Sequence, residues 1–119
     1  MGHVMVHNTH GTEDVERASL AFVVGNTALN SGQRATLLLT IEGVWLATPG
    51  KADGKQANGF PPLSDLISTF LKGGGELWAC GSCAKLRGIV EANLIAGASI
   101  VGAATAVEAL VNGAQTLCF

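Results

Sequence analysis

ELWACGSCAKLRG, residues 76–88, joins a short apolar run to a segment of helical character through a cysteine and a glycine. Glu76 to Ala79 reads as a strand, Ser82 to Arg87 as a short helix, and Gly88 is placed to terminate it. Cys80 therefore falls at a strand-to-helix corner, the repeating joint of a parallel α/β sheet. The rest of the chain is legible as further copies of that joint.

Toward the amino terminus, His3 to His7 is a β-branched and apolar run followed by the turn-prone Asn8, Thr9, His10 and Gly11. Thr12 can cap the next helix, whose first turn carries Glu13, Asp14 and Glu16 where the helix dipole favours negative charge. Ala18, Ala21, Phe22, Gly25 and Leu29 follow at helical spacing, and Asn30, Ser31 and Gly32 end the run. Ala35 to Ile41 is almost continuously apolar, which suits a central parallel strand covered on both faces with Leu37, Leu38 and Leu39 in the core. After Glu42 and Gly43 come an apolar turn through Val44, Trp45 and Leu46 and the polar, glycine-rich TPGKADGKQANG (48–59), long enough for a mobile loop or lid. Pro61 and Pro62 suit a helix start, with Leu63, Leu66, Ile67, Phe70 and Leu71 on one face and Gly73, Gly74 and Gly75 as its cap.

Beyond the cysteine corner, Ala98 to Val101 and Gln115 to Phe119 read as strands on either side of a helix from about Ala103 to Asn112. Five short strands alternating with helices imply a three-layer α/β/α fold with a mostly parallel five-stranded sheet, spanning residues 1–119 as one domain. In such sheets function gathers beyond the carboxyl ends of the strands. Asn8, Thr9 and His10 leave the first strand, Thr40 and Glu42 the second and Cys80 the third, so one cleft is expected to gather them.

Composition narrows the function classes. The 119 residues are 48% hydrophobic and 13% charged, enough apolar material to offset chain entropy. A net charge of -2 with seven scattered Lys and Arg residues offers no stripe for a phosphate backbone, so no nucleic-acid partner is expected. Polar residues interrupt the apolar stretch from Ile89 to Val111 well short of the roughly 20 residues that span a bilayer, so no membrane partner is expected. The opening MGHVMVHNTHG lacks the features of a secretory signal, and a cytoplasmic location is the expectation. In that compartment three cysteines argue for reduced, reactive thiols over a disulfide framework.

A cysteine preceding a helix meets unsatisfied backbone amides that favour its thiolate. Cys80 has that position. Gly81 lets the backbone turn closely, Ser82 can cap the helix or donate to a sulfur anion, and Lys85 and Arg87 add positive charge nearby. Cys83, one turn on, fits either packing against the sheet or a resolving role. His10 suits a base, an orienting group or a solvated loop residue, and Glu42 has similar alternatives. A buried edge or interface thiol is the expectation for Cys118. One CxxC supplies only two of the four ligands a zinc site needs, so no metal and no other cofactor is expected. The near-match to the Trp-Cys-Gly-x-Cys-Lys of a thioredoxin fails twice. Ala79 separates Trp78 from Cys80, and Pro49, Pro61 and Pro62 all precede the motif, where thioredoxins have a cis-proline after it.

Three segments together resemble the DsrE/DsrF-like proteins, small α/β subunits that include the TusD-type sulfur carriers of bacterial tRNA thiolation. These are HGTEDVERASLAF (10–22) after the first strand, TIEGVWLA (40–47) after the second, and the cysteine corner leading into Arg87, Gly88 and Ile89. The resemblance covers almost the whole chain. It implies a five-stranded parallel sheet between helix layers. It also implies that Cys80, seven residues before the arginine-glycine pair, accepts sulfur as a persulfide from a protein donor and passes it to a partner's thiol. Members commonly assemble as dimers, trimers or hexamers, so a homo-oligomer is expected, with Trp45, Phe60 and the surface around Ala103 to Ala109 as candidate interfaces. Cys83 departs from the single-cysteine carriers, since a nearby thiol can attack a Cys80 persulfide and release sulfide. Two other readings stay open: a non-catalytic oligomeric binding module, and a Cys80/Cys83 dithiol redox switch.

Overall fold

The structure, a computed structural model, describes residues 1–119. Its strands are β1 (His3–Asn8), β2 (Arg34–Leu39), β3 (Glu76–Cys80), β4 (Ala98–Val101) and β5 (Gln115–Cys118). Its α-helices are α1 (Val15–Asn30), α2 (Leu63–Lys72), α3 (Gly81–Leu86) and α4 (Ala103–Val111). All strand pairs are parallel, in the order β4-β3-β2-β1-β5, so the expected α/β sheet between helices is present.

The order dictates where the helices go. From β1 to β4 the chain steps in one direction across the sheet, and right-handed crossovers keep α1, α2 and α3 on one face. The return from β4 to β5 runs the other way, which sends α4 to the opposite face. On the first face α1 packs against α2, β1 and β2. Val6, Leu37, Leu39, Leu77 and Ala79 meet Phe22 and Phe70 there in the main core, each no more than 1% exposed. The two phenylalanine rings stand edge to face with centroids 5.8 Å apart, a geometry their quadrupoles favour.

The opposite face has one thin cover. Joining two parallel strands, α4 runs back along them and covers a width of only about 10–12 Å, whereas five strands span about 19 Å, so α4 cannot roof the sheet. It contributes no buried residue. This is why the expectation for β2 fails in one particular: Leu37 and Leu39 are fully buried, but Leu38, across the pleat, is only half-buried. The same thin cover corrects Cys118. It is exposed instead of buried, because β5 is an edge strand with every residue open to solvent.

Two local corrections bear on the site. Thr12 opens a 3-10 turn (Thr12–Asp14) and does not cap α1; the cap is Asp14, whose carboxylate accepts from Arg17 N–H at 3.0 Å. β2 stops at Leu39, and Ile41–Ala47 coils into a 3-10 helix with Ile41 at φ 55. A β-branched residue in that left-handed region is strained. The segment 48–59 is folded as successive turns, pinned by Leu63 N–H to the Lys55 carbonyl at 2.9 Å and by the Lys51 ammonium 4.7 Å above the Trp45 ring.

Candidate functional site

Side chains alternate across a strand, so parity and register decide which residues share a face. Register pairs His7 with Leu38 and Cys118, and Leu38 with Trp78. The thinly covered face therefore carries His3, Met5 and His7 from β1, Arg34, Thr36 and Leu38 from β2, Trp78 and Cys80 from β3, and Cys118 from β5. Contacts agree with this: His3 Nε2 lies 2.8 Å from Thr36 Oγ1, and His7 Nε2 lies 2.7 Å from Thr40 Oγ1.

At the carboxyl end of this face, beside the amino-terminal half of α4, is a cleft of about 220 Å³. Cys80, Thr40, His7 and Leu38 form its floor, and Val101, Gly102, Ala103, Ala106 and Val107 its wall. Cys80 ends β3 and is the residue from which α3 starts, at φ -60 and ψ 125. Its thiol is half-buried, and burial pushes the thiol up. That effect is outweighed by the backbone N–H and thiol of Cys83 and by the backbone N–H of Ser82, which hold Cys80 below the ordinary thiol value. Thiolate, the nucleophilic form, is thereby favoured. Gly81 permits the turn: a Cβ there would lie 3.3 Å from the Val101 carbonyl oxygen.

The remaining expected site residues are placed differently. Ser82 is exposed and acts on Cys80 through its backbone, not its hydroxyl. Lys85 is exposed in the last turn of α3 and Arg87 follows that helix; neither contributes to the Cys80 shift. Arg87 instead donates from Nε to Glu42 at 2.9 Å and from a terminal nitrogen to the Cys83 carbonyl at 3.2 Å. That pair fastens the 3-10 helix after β2 to α3, giving Glu42 a structural partner outside the cleft.

Asn8, Thr9 and His10 also lie outside the cleft. The fully buried Asn8 side chain donates to the His10 carbonyl at 2.9 Å and accepts from His10 N–H at 3.0 Å. Thr9 donates its hydroxyl to the Phe119 carbonyl at 2.9 Å, and the His10 ring meets Glu13 at 2.7 Å. These loops approach too closely for side chains: a Cβ on Gly43 would come within 2.5 Å of the Asn8 carbonyl oxygen, and one on Gly11 within 2.5 Å of that of Glu42. The expected grouping thus divides. Thr40 joins Cys80 in the cleft, while Asn8, Thr9, His10 and Glu42 brace the loops beside it.

His7 was the residue missed. The sequence reading takes it only as the end of the first strand, yet its half-buried ring lines the Cys80 cleft and its Nδ1 lies 3.7 Å from Cys118 Sγ. Burial holds His7 below the ordinary imidazole value, which keeps the ring neutral near pH 7. A signal was available: His3 and His7 in β1, and Thr36 and Thr40 in and after β2, share one parity in otherwise apolar runs.

Comparisons with known proteins agree with the fold. The DsrE/DsrF-like family model matches residues 2–119. Uncharacterized protein MJ0760 of Methanocaldococcus jannaschii is 35% identical over 102 residues, which cover 86% of this chain and 37% of that protein. Uncharacterized protein MK0008 of Methanopyrus kandleri is 34% identical over 85 residues, covering 71% of this chain and 67% of that one. The chain thus matches little more than a third of the length of the first relative. Among solved structures, the ychN protein from E. coli superposes with a TM-score of 0.70 at 19% identity, covering 100% of this chain and 99% of that one. MTH1491, a protein of unknown function from Methanobacterium thermoautotrophicum, gives 0.72 at 15% identity with 100% of both chains covered. These two likenesses are of fold.

Proposed function

The chain belongs to the DsrE/DsrF-like family, and from that premise we propose that it is a sulfur-relay protein carrying sulfane sulfur on Cys80. The observation that supports this reading is the Cys80 thiol itself. It is half-buried at the β3–α3 corner, open to a cleft, and held toward the thiolate by the backbone N–H groups of Ser82 and Cys83. The thiolate attacks the outer sulfur of a donor protein's persulfide, the donor leaves as a thiolate, and Cys80 keeps the transferred sulfur. A partner thiol then removes it by the same exchange. Three unpaired cysteines are consistent with a reducing, cytoplasmic setting. No helix is long and apolar enough to cross a membrane.

Homo-oligomerisation is part of the proposal. Val107, Leu110 and Val111 of α4 and Leu117 of β5 are between 43% and 79% exposed, an apolar surface that association of copies would cover. Cys83 supports one variation, because its thiol bears directly on Cys80. Attack by Cys83 on the inner sulfur of a Cys80 persulfide forms a Cys80–Cys83 disulfide and expels hydrosulfide, which makes the pair a dithiol device.

The test is intact mass after treatment with a persulfide donor. Wild type gains the mass of one sulfur atom and Cys80→Ser does not; equal addition to both, or none to wild type, overturns the carrier reading. In Cys83→Ser the adduct outlasts that of wild type if Cys83 resolves it, and has the same lifetime if Cys83 only packs.

A further inference from the structure

Four neighbouring strands bring polar side chains together at the carboxyl end of the thinly covered face: Cys80 of β3 is level with Thr40 just beyond β2, and His7 of β1 is level with Cys118 of β5, one same-face step back. His7 reaches diagonally between the two pairs, with Nε2 2.7 Å from Thr40 Oγ1 and Nδ1 3.7 Å from Cys118 Sγ. Cys80, Thr40 and His7 open into the same cleft. The cleft contains no Lys, Arg, Asp or Glu, and its wall is Val101, Gly102, Ala103, Ala106 and Val107.

We propose that this cleft seats an uncharged thiol acceptor, and that Thr40 and His7 take its proton as it removes sulfur from Cys80. The proposal rests on the sulfur-carrier reading and adds to it an acceptor class and two residues. A sulfane sulfur reaches about 2 Å beyond Cys80 Sγ, and an attacking sulfur stands about 3.5 Å further on. An acceptor sulfur in line with that bond therefore stands about 5.5 Å from Cys80 Sγ, comparable to the about 4.8 Å between neighbouring strands. On the β2 side of Cys80, that places it within reach of Thr40.

With the imidazole protonated on Nδ1, Nδ1–H points to Cys118 Sγ and Nε2 accepts from the Thr40 hydroxyl. The Thr40 oxygen then accepts from the acceptor S–H. The acceptor proton passes to Thr40 as the Thr40 proton passes to Nε2. The resulting thiolate forms a bond to the terminal sulfur of Cys80–S–SH, the bond from that sulfur to Cys80 Sγ breaks, and its electron pair leaves on Cys80. The proton on His7 returns to Cys80 or to water. One persulfide replaces another, with no net oxidation. Burial favours the neutral ring this requires.

The acceptor class follows from desolvation. A carboxylate entering the cleft loses water and finds no cation to replace it, which disfavours it in apolar surroundings. A cysteine flanked by uncharged residues, or a small neutral thiol, meets no such penalty.

The test uses the full chain in a Cys83→Ser background, loaded with sulfur and verified at residue 80 by peptide mass. Discharge at pH 7 is followed with 2-mercaptoethanol, with the more acidic but neutral 2,2,2-trifluoroethanethiol, and with mercaptoacetate. Each rate is normalised to that of the same thiol with the persulfide in urea-unfolded chain. The expectation is at least about 10-fold slower normalised discharge to mercaptoacetate than to 2-mercaptoethanol. His7→Gln and Thr40→Val should slow discharge to 2-mercaptoethanol by about 10-fold or more, the lower range of general-base effects. They should slow trifluoroethanethiol less than about 3-fold, because a far larger fraction of that more acidic thiol is already ionised at pH 7. A purely structural role slows both neutral thiols equally and overturns the proton assignment, as does no slowing at all. Equal normalised rates with mercaptoacetate overturn the acceptor class. Failure to load Cys80 overturns the carrier reading and this proposal together, whereas loading with unchanged discharge overturns this proposal alone. Thr40→Val, close in shape to the parent, carries the test if His7→Gln unfolds at the assay temperature.

Discussion

The two faces of the sheet differ in chemistry more than any two segments of the chain. Under α1 and α2, Val6, Leu37, Leu39, Leu77 and Ala79 pack with Phe22 and Phe70 and exclude water. Across the same backbones, His7, Leu38, Thr40 and Cys80 lie beside one short helix that leaves a cleft open. Close packing on the first face holds the strands in register, and that register presents Cys80 and Thr40 side by side on the second, with His7 one diagonal step away. A fully roofed sheet would bury the Cys80 thiol. The thin side therefore leaves that thiol open to a cleft, and the thick side stabilises the sheet.

Substitutions on opposite sides of one strand should give the largest contrast. Leu37→Ala removes a fully buried side chain and is expected to cost 2–5 kcal/mol. Leu38→Ala trims a half-buried side chain at the floor of an open cleft and should cost about 1 kcal/mol or less. Urea unfolding of both variants measures the difference, and equal losses would break the two-face description.

Acid should act mainly on the thin face. Burial, first, lowers both His3 and His7; Arg34 lowers His3 further, while Glu76 opposes that effect. The unfolded chain then binds more protons than the folded one as pH falls below about 6.5. Stability is retained above that value and lost as pH drops toward the folded values. Between pH 7.5 and 5.5 the loss is expected to be about 1 kcal/mol or less, since both rings are partly exposed. Melting temperatures of wild type and of His3→Gln/His7→Gln check it: the double variant should show a flatter pH profile, and equal slopes would assign the acid sensitivity elsewhere.

The smallest effect belongs to the ion pair at the far end of the same face. Arg34 Nε meets Glu76 at 2.6 Å with both side chains substantially exposed. The Arg34 hydrogen bond and charge hold Glu76 below the usual carboxylate value against burial. Its contribution is present above the ordinary carboxylate range and lost as pH falls through the folded value. Glu76→Gln should cost about 0.5 kcal/mol or less at pH 7 in low salt, and less in high salt. A loss above about 1 kcal/mol by urea unfolding would mean that the thin face bears more of the fold than its exposure implies.

Much of this was legible along the chain. The strand-to-helix corner at Cys80, the helix ending at Gly32 and the apolar face of α2 follow from spacing, capping and turn chemistry, which act between near neighbours. The boundaries that moved did so through contacts local reading does not see. Asp14 displaces Thr12 as the cap of α1 by bonding Arg17 N–H, and the coil at Ile41 ends β2 before its apolar run does.

By itself the sequence determined the α/β alternation, the position of Cys80 at a strand end, and the absence of a charge stripe suited to nucleic acid. Only the tertiary structure decided which residues face Cys80. Strand order puts β2 and β1 beside β3, and parity turns Thr40 and His7 toward its cleft while Asn8 turns to the opposite side. It also decided that Cys118 is open and Leu38 half-covered, because the one helix on that face, running along the strands, is narrower than the sheet. Local propensity sets what each segment becomes. Neighbours across the sheet are set by crossover direction and register, which are properties of the assembled chain.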